Sequence, residues 1–104
     1  MKFAKIVTTV PLSHADAVRK AVGDAIGIDK NYSHATFSVR GVGRFIPHDG
    51  ANPAIGTVGK QEEVEEERIE WNCPSEKVEA AVTALRETHP YEVPMIDVYP
   101  LETL

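Results

Sequence analysis

Twice along this chain, a segment typical of a strand ends at a proline and a segment of helical periodicity follows. Residues 2–10 are rich in β-branched and aromatic types and end at Pro11, and residues 61–73 end at Pro74. After each proline, apolar residues recur at the spacing of one helix face. Any fold for this chain must therefore contain two strand-to-helix connections.

Two further segments complete the order of elements. Residues 34–46 alternate between apolar and polar types and predict a half-buried strand, in which Gly41 and Gly43 indicate a bulge or a close backbone approach. Residues 93–101 read as a last strand. The segment 61–73 is ambiguous, because its glutamates favour a helix by propensity while its apolar alternation favours a strand.

Taking 61–73 as a strand, the order is strand, helix, strand, strand, helix, strand. This order predicts an α+β fold of the ferredoxin-like βαββαβ type, an antiparallel sheet with two helices on one face. The length of 104 residues suits a single domain spanning 1–104.

The helix ends carry their own signals. Ser13 and Asp16 have the spacing of a capping box, and Gly27 is placed to end the first helix. Ser75 is a candidate N-cap for the second helix, which His89 ends because a residue before proline avoids helical geometry.

Charge and composition exclude several classes of function. The net charge is −5 and no basic cluster occurs, so we expect no nucleic-acid binding. No apolar run approaches the roughly 20 residues that a membrane span requires, so we expect no membrane insertion. The single cysteine, Cys73, allows no intrachain disulfide and favours a cytoplasmic location.

The stretch PHDGANPAIGTVGK at 47–60 contains three glycines and ends in Gly-Lys, as a phosphate-binding loop does. A Walker A motif needs glycine and a hydroxyl residue where this chain has Ala54 and Gln61, so that interpretation fails. The stretch instead predicts a folded turn, in which Gly50 tolerates positive φ and Pro53 restricts Asn52 to extended conformations.

The sequence contains no complete motif for metal binding or for nucleophilic catalysis. The four histidines form no paired zinc motif, and isolated histidines are usually structural. One hypothesis places a divalent cation, copper or zinc, on His89 and Glu92 with His48 or Cys73 as a further ligand. The alternative for Cys73 is a small buried hydrophobe. No nucleophile or acid–base pair stands out, so a small enzyme is the least favoured reading.

Two segments carry a resemblance to a known family. GVGRFIPHDGANPAIGTVGKQEEVEEERIE and THPYEVPMIDVYPL resemble the inserted domain of the Nif-three-like dinuclear-metal proteins, over most of the chain. HPYEVP is also similar to the CutA divalent-cation-tolerance proteins, and the whole pattern to the PII-like fold. The resemblance implies a homo-oligomer, most simply a trimer. The metals of the Nif-three-like proteins are held by flanking domains, so we expect an accessory domain standing alone.

These observations lead to a hypothesis of a small, non-enzymatic, oligomeric binding or regulatory module. Its ligand is a small molecule, a divalent metal or a partner protein, and the alternative is a CutA-like cation binder. The predicted binding or interface residues lie in the loop, on the third strand and in the HPYE segment: Phe45, Pro47, His48, Asp49, Gly50, Asn52, Pro53, Gly56, Arg68, Glu70 and Tyr91.

Overall fold

The computed structural model describes residues 2–102. Its elements follow the predicted order. The strands are β1 (Phe3–Pro11), β2 (Phe37–Phe45), β3 (Glu62–Pro74) and β4 (Ile96–Leu101). The helices are α1 (Leu12–Ile26) and α2 (Val78–Thr88), and one 3-10 turn, Ser75–Lys77, precedes α2.

The four strands form one sheet in the order β2-β3-β1-β4, and every neighbouring pair is antiparallel. The long strand β3 pairs with β2 through residues 62–70 and with β1 through residues 66–74. Both helices pack over β1 and β3 on the same face, which is the ferredoxin-like arrangement expected from the sequence.

The core lies between the helices and the two central strands. Because side chains alternate along a strand, Ile6 and Val10 of β1 face the helices together with Ile69 and Trp71 of β3. The apolar stripes of the helices close the other side, with these fully buried members: Ala15, Val18, Val22, Ala81 and Leu85. Each large side chain buried in this way contributes about 1.5–3 kcal/mol.

The segment 61–73, ambiguous by propensity, is a strand because both of its edges are paired. Three of its six glutamates form ion pairs with cations on neighbouring strands or helices, as in Glu63 with Arg44 and Glu67 with Arg19. Backbone pairing on two sides and the burial of Ile69 outweigh the helix propensity of glutamate.

Strand β2 is less buried than predicted, whereas one of the two predicted roles for its glycines is confirmed. It lies at the sheet edge and most of it is exposed, including Phe37 at 64%, because the helices pack over β1 and β3. The register with β3 is continuous from Phe37 to Phe45, so the glycines mark no bulge. The other predicted option, a close approach, occurs at Gly43, whose backbone lies against the Glu66 carboxylate.

The predicted helix caps are also corrected. Pro11 occupies the N-cap of α1, and the Ser13 hydroxyl contacts the His14 ring rather than the backbone. The Ser75 side chain makes no cap hydrogen bond, and its N–H donates to the carbonyl of Lys2 instead. Gly27 does end α1, with φ of 80°. Within residues 2–102, neither helix is both long and apolar enough to cross a membrane.

Candidate ligand-binding cavity

A cavity of about 730 Å³ lies where the β2–β3 loop and the α2–β4 segment meet strands β2 and β3. The loop contributes Pro47 and Pro53, and the α2–β4 segment contributes Tyr91 and Met95. The two stretches singled out from the sequence, 47–60 and 89–92, therefore meet at one site. The volume falls within the range of small-molecule pockets, roughly 300–1,000 Å³.

Tyr91 joins the two walls of the cavity. Its hydroxyl donates to Oε2 of Glu66 on β3 at 2.8 Å, and its ring meets that of Phe45 edge to face, with centroids 5.7 Å apart. Burial, followed by the hydrogen bond to the Glu66 carboxylate, raises the pKa of the Tyr91 hydroxyl well above 10.0. Tyr91 is thus held protonated as a hydrogen-bond donor.

His89 anchors the start of the α2–β4 segment. Its Nε2 donates to the carbonyl of Thr9 at 2.8 Å, and its Nδ1 accepts from the backbone N–H of Tyr91 at 3.1 Å. These two bonds require the neutral ring with the proton on Nε2. Burial lowers the pKa of His89 below 6.5, although the Thr9 bond and the Glu66 charge oppose the shift.

The β2–β3 loop is fixed by its own backbone and by one contact to the HPYE segment. The N–H of Gly59 donates to the carbonyl of Pro47 at 2.8 Å, which closes the loop. The N–H of Asn52 donates to Oε1 of Glu92 at 3.0 Å, which ties the loop to the opposite wall. Gly50 and Gly56 have φ of 94° and 101°, so glycine is required at both turns.

Two glycines on β2 shape the floor of the cavity differently. A Cβ added at Gly43 would lie 2.1 Å from Oε1 of Glu66, so the absence of a side chain makes room for that carboxylate. A Cβ added at Gly41 would meet nothing within 4 Å. Gly41 lines the cavity, and its missing side chain leaves open space there.

Glu66 is the main cavity residue that the sequence did not single out. It is only 6% exposed, and it stood undistinguished within a run of six glutamates. Strand alternation was the available signal, since it places Glu66 on the same face as Arg68 and Glu70. Strand alternation alone could not show that Glu66, rather than another glutamate of the strand, would be buried.

The predicted pair Arg68 and Glu70 does share one face. Arg68 Nε donates to Glu70 Oε2 at 3.1 Å, and Lys5 Nζ donates to Oε1 of the same carboxylate at 3.3 Å. Arg68, and then Lys5, hold the pKa of Glu70 below 4.5. The pair thus forms a charge network across β3 and β1, and Arg68 extends it to the cavity lining.

The predicted site residues divide between the lining and its supports. Six of them line the cavity: Phe45, Pro47, His48, Pro53, Arg68 and Tyr91. The other five lie outside the lining, in the loop or on β3: Asp49, Gly50, Asn52, Gly56 and Glu70.

The geometry does not favour the metal hypothesis. Both ring nitrogens of His89 are engaged in hydrogen bonds, which leaves no lone pair for a metal. Cys73 faces the core on the helix side of the sheet, where burial raises the pKa of its thiol above 9.0. Across residues 2–102, no group of three or more His, Cys, Asp or Glu side chains has a metal-binding arrangement. Binding at His89, Glu92 and His48 stays a prediction.

Known proteins resemble the chain over nearly its whole length. A protein of Mycobacterium leprae described as a GTP cyclohydrolase 1 type 2 homolog is 44% identical over 98 residues, and its Bacillus subtilis counterpart is 42% identical over 99 residues. The solved structure of a Bacillus cereus protein related to NIF3 superposes with a TM-score of 0.82 at 44% identity, over 98% of this chain. The chain is similar to one segment of these NIF3-related proteins. The resemblance inferred from the sequence is thereby confirmed.

The matched segment is a small part of those relatives. The chain spans 26% of the length of the M. leprae protein and 26% of the B. cereus chain. No family model matches the sequence. The divalent cation tolerance protein CutA of Archaeoglobus fulgidus shares the fold at 19% identity, with a TM-score of 0.69 over 97% of this chain and 85% of its own.

Proposed function

We propose that this chain is a non-enzymatic, oligomeric binding module whose ligand occupies the cavity between the β2–β3 loop and the HPYE segment. One observation carries the proposal: the two stretches are joined by the Asn52–Glu92 hydrogen bond and together line one open cavity of about 730 Å³. A space walled by Phe45, Pro47 and Tyr91 suits an apolar ligand body.

Binding fits this site better than catalysis because its buried reactive groups are already committed. His89 uses both ring nitrogens in structural hydrogen bonds, and the Tyr91 hydroxyl is held protonated by Glu66. Cys73, the one cysteine of the chain, is fully buried on the other side of the sheet. The proposed cytoplasmic location rests on this single free thiol.

The free sheet edges support the oligomeric part of the proposal. Strand β2 is one edge and β4 the other, and an edge strand offers unpaired backbone groups to another chain. Both edges carry large exposed apolar side chains: Phe37, Val39 and Val42 on β2, and Val98 and Tyr99 on β4. Contact between the β2 edge of one copy and the β4 edge of the next closes a ring of three when the rotation per copy is about 120°.

The first test asks whether the cavity takes up an apolar molecule. We expect 2-naphthylmethanol to bind the chain, and Gly41→Leu to weaken that binding at least tenfold (about 1.4 kcal/mol) because the new side chain fills the floor. Isothermal titration calorimetry measures the affinity, and protein-observed NMR shows which residues change chemical shift when the probe binds.

Thr36→Leu is the matched control, because it adds the same side chain at an exposed position away from the lining. Its affinity is expected to equal that of the wild type. Equal binding by the Gly41→Leu protein would place the probe elsewhere and contradict the proposal.

The second test concerns the oligomer. Sedimentation equilibrium of the wild type is expected to give three times the chain mass of 11.4 kDa. Phe37→Lys, which places a charge on the β2 edge, is expected to yield monomers. Ile28→Lys is the control, since Ile28 is 78% exposed but lies on no strand. A wild type that stays monomeric at every concentration rules out the trimer.

A further inference from the structure

Glu66 is a buried carboxylate without an ion pair. It is 6% exposed, yet none of the ion pairs among residues 2–102 includes it, whereas Glu63, Glu67 and Glu70 on the same strand are all paired. Burying a charge is costly unless the charge is paired and hydrogen-bonded. Glu66 therefore places a buried carboxyl group that has no ion pair at the wall of the cavity.

The two oxygens of Glu66 have different surroundings. Oε2 accepts the hydrogen bond from the Tyr91 hydroxyl at 2.8 Å. Oε1 accepts no hydrogen bond from residues 2–102, and it occupies the space next to Gly43 that a Cβ there would need. One oxygen holds the side chain in place, and the other is available to a donor in the cavity.

Three arginines line the cavity, and among residues 2–102 none of them forms an ion pair with this carboxylate. Arg40 lies on β2, where strand alternation places it on the helix side of the sheet, opposite to Glu66. Arg68 shares a sheet face with Glu66, but its Nε is bonded to Glu70. Arg44 pairs with Glu63, and strand alternation places that pair on the helix side of the sheet. The remaining bond to Glu66 comes from Tyr91, a neutral donor.

We propose that the ligand is an organic cation, an apolar ring or chain that carries a primary ammonium group. This inference rests on the proposed function and specifies the chemical class of the ligand. The ammonium donates to Oε1 of Glu66 above Gly41 and Gly43, and a charge-assisted bond of this kind is about twice as strong as a neutral one. The apolar body packs against Phe45 and Tyr91, whose ring faces also attract a cation.

A series of isosteric probes tests the charge. 2-Naphthylmethylammonium, 2-naphthylmethanol and 2-naphthoate share one apolar body and differ in the group presented to Glu66. Titration of the 104-residue chain is expected to rank them in that order, with the ammonium bound about tenfold tighter than the alcohol. Added salt is expected to reduce the preference for the ammonium over the alcohol. The reduction should be smaller than the loss of attraction between two exposed charges, because buried charges are screened less.

Glu66→Gln is the decisive variant, since its amide oxygen still accepts from Tyr91 while the charge is gone. We expect it to bind the ammonium about tenfold more weakly and the alcohol unchanged. Glu63→Gln makes the same substitution on the opposite sheet face and is expected to bind both probes as the wild type does. Thermal unfolding of both variants checks that they are folded, and the probe ranking in unaltered protein remains informative if Glu66→Gln unfolds.

The outcomes separate the two proposals. Equal affinity for ammonium and alcohol in the wild type, or an unchanged preference in Glu66→Gln, overturns the cationic ligand and leaves the cavity as a binding site. If none of the three probes binds, the proposed binding function fails and the ligand chemistry fails with it.

Discussion

Replacing His89 by alanine is expected to lower the free energy of unfolding by about 2–4 kcal/mol. The substitution removes the ring, so the carbonyl of Thr9 and the N–H of Tyr91 each lose a hydrogen bond in a partly buried setting. A buried group left unsatisfied costs about 1–3 kcal/mol, and the partial exposure of these two groups places the expected sum in the lower part of the range for two such groups. Urea unfolding followed by circular dichroism measures the difference, and an unchanged m-value shows that the substitution altered stability rather than the compactness of either state.

His48→Ala is the control, because His48 also lies at the cavity but is exposed. Its effect is expected within about 0.5 kcal/mol. A similar loss of unfolding free energy in both variants would contradict the role of His89 as the anchor of the α2–β4 segment. The pH profile gives a second readout of the same role.

Because burial lowers the folded-state pKa of His89 below 6.5, the unfolded state binds a proton first. The stability from the neutral ring is full above pH 6.5 and is lost as pH falls toward the folded-state pKa. His89→Ala is expected to lose that part of the acid sensitivity, which amounts to at most about 1.4 kcal/mol per pH unit.

The second large effect is expected at Gly43. Gly43→Ala places a Cβ where Oε1 of Glu66 lies, so the carboxylate must move and the Tyr91 hydroxyl loses its acceptor. A hydrogen bond to a charged group contributes about 1.5–3 kcal/mol, and we expect a loss of that size in the free energy of unfolding. The Tyr91 ring should also shift, which fluorescence and aromatic NMR signals report.

Gly41→Ala makes the same change two residues earlier, where the added Cβ meets nothing within 4 Å. This variant is expected to be about 0.4–1 kcal/mol more stable than the wild type, since alanine reduces the entropy of the unfolded chain. Equal effects at both glycines would show that the Glu66 carboxylate moves freely, which would also weaken the case for an ordered binding group.

The fold could be predicted because its elements follow from local periodicity. The alternation of Ile69, Trp71 and Cys73 and the helical stripe from Val78 to Leu85 reflect one buried face each. Helix ends were less predictable: the Ser13 hydroxyl contacts the His14 ring, and the Ser75 side chain makes no cap hydrogen bond. The edge position of β2 depends on sheet order, which local pattern does not encode.

The site could be predicted in outline. The loop and the HPYE segment were identified, and residues such as Pro47 and Tyr91 do line one cavity. The role of His89 was not predicted, because its partner Thr9 lies 80 residues away on β1. The metal hypothesis drew on the short distance between His89 and Glu92 in sequence, and this spacing does not reveal that the ring nitrogens are already used.

The sequence by itself determined the order of strands and helices, the positions of Pro11 and Pro74 at strand ends, and the glycine-dependent turn at Gly50. These features depend on residues close together in the chain, whose backbone preferences act locally. Only the tertiary structure decided that Glu66, alone among its neighbouring glutamates, would be covered and unpaired. Glu66 is bonded to Tyr91, 25 residues away, and shares a cavity with the β2–β3 loop, so no local pattern could distinguish it.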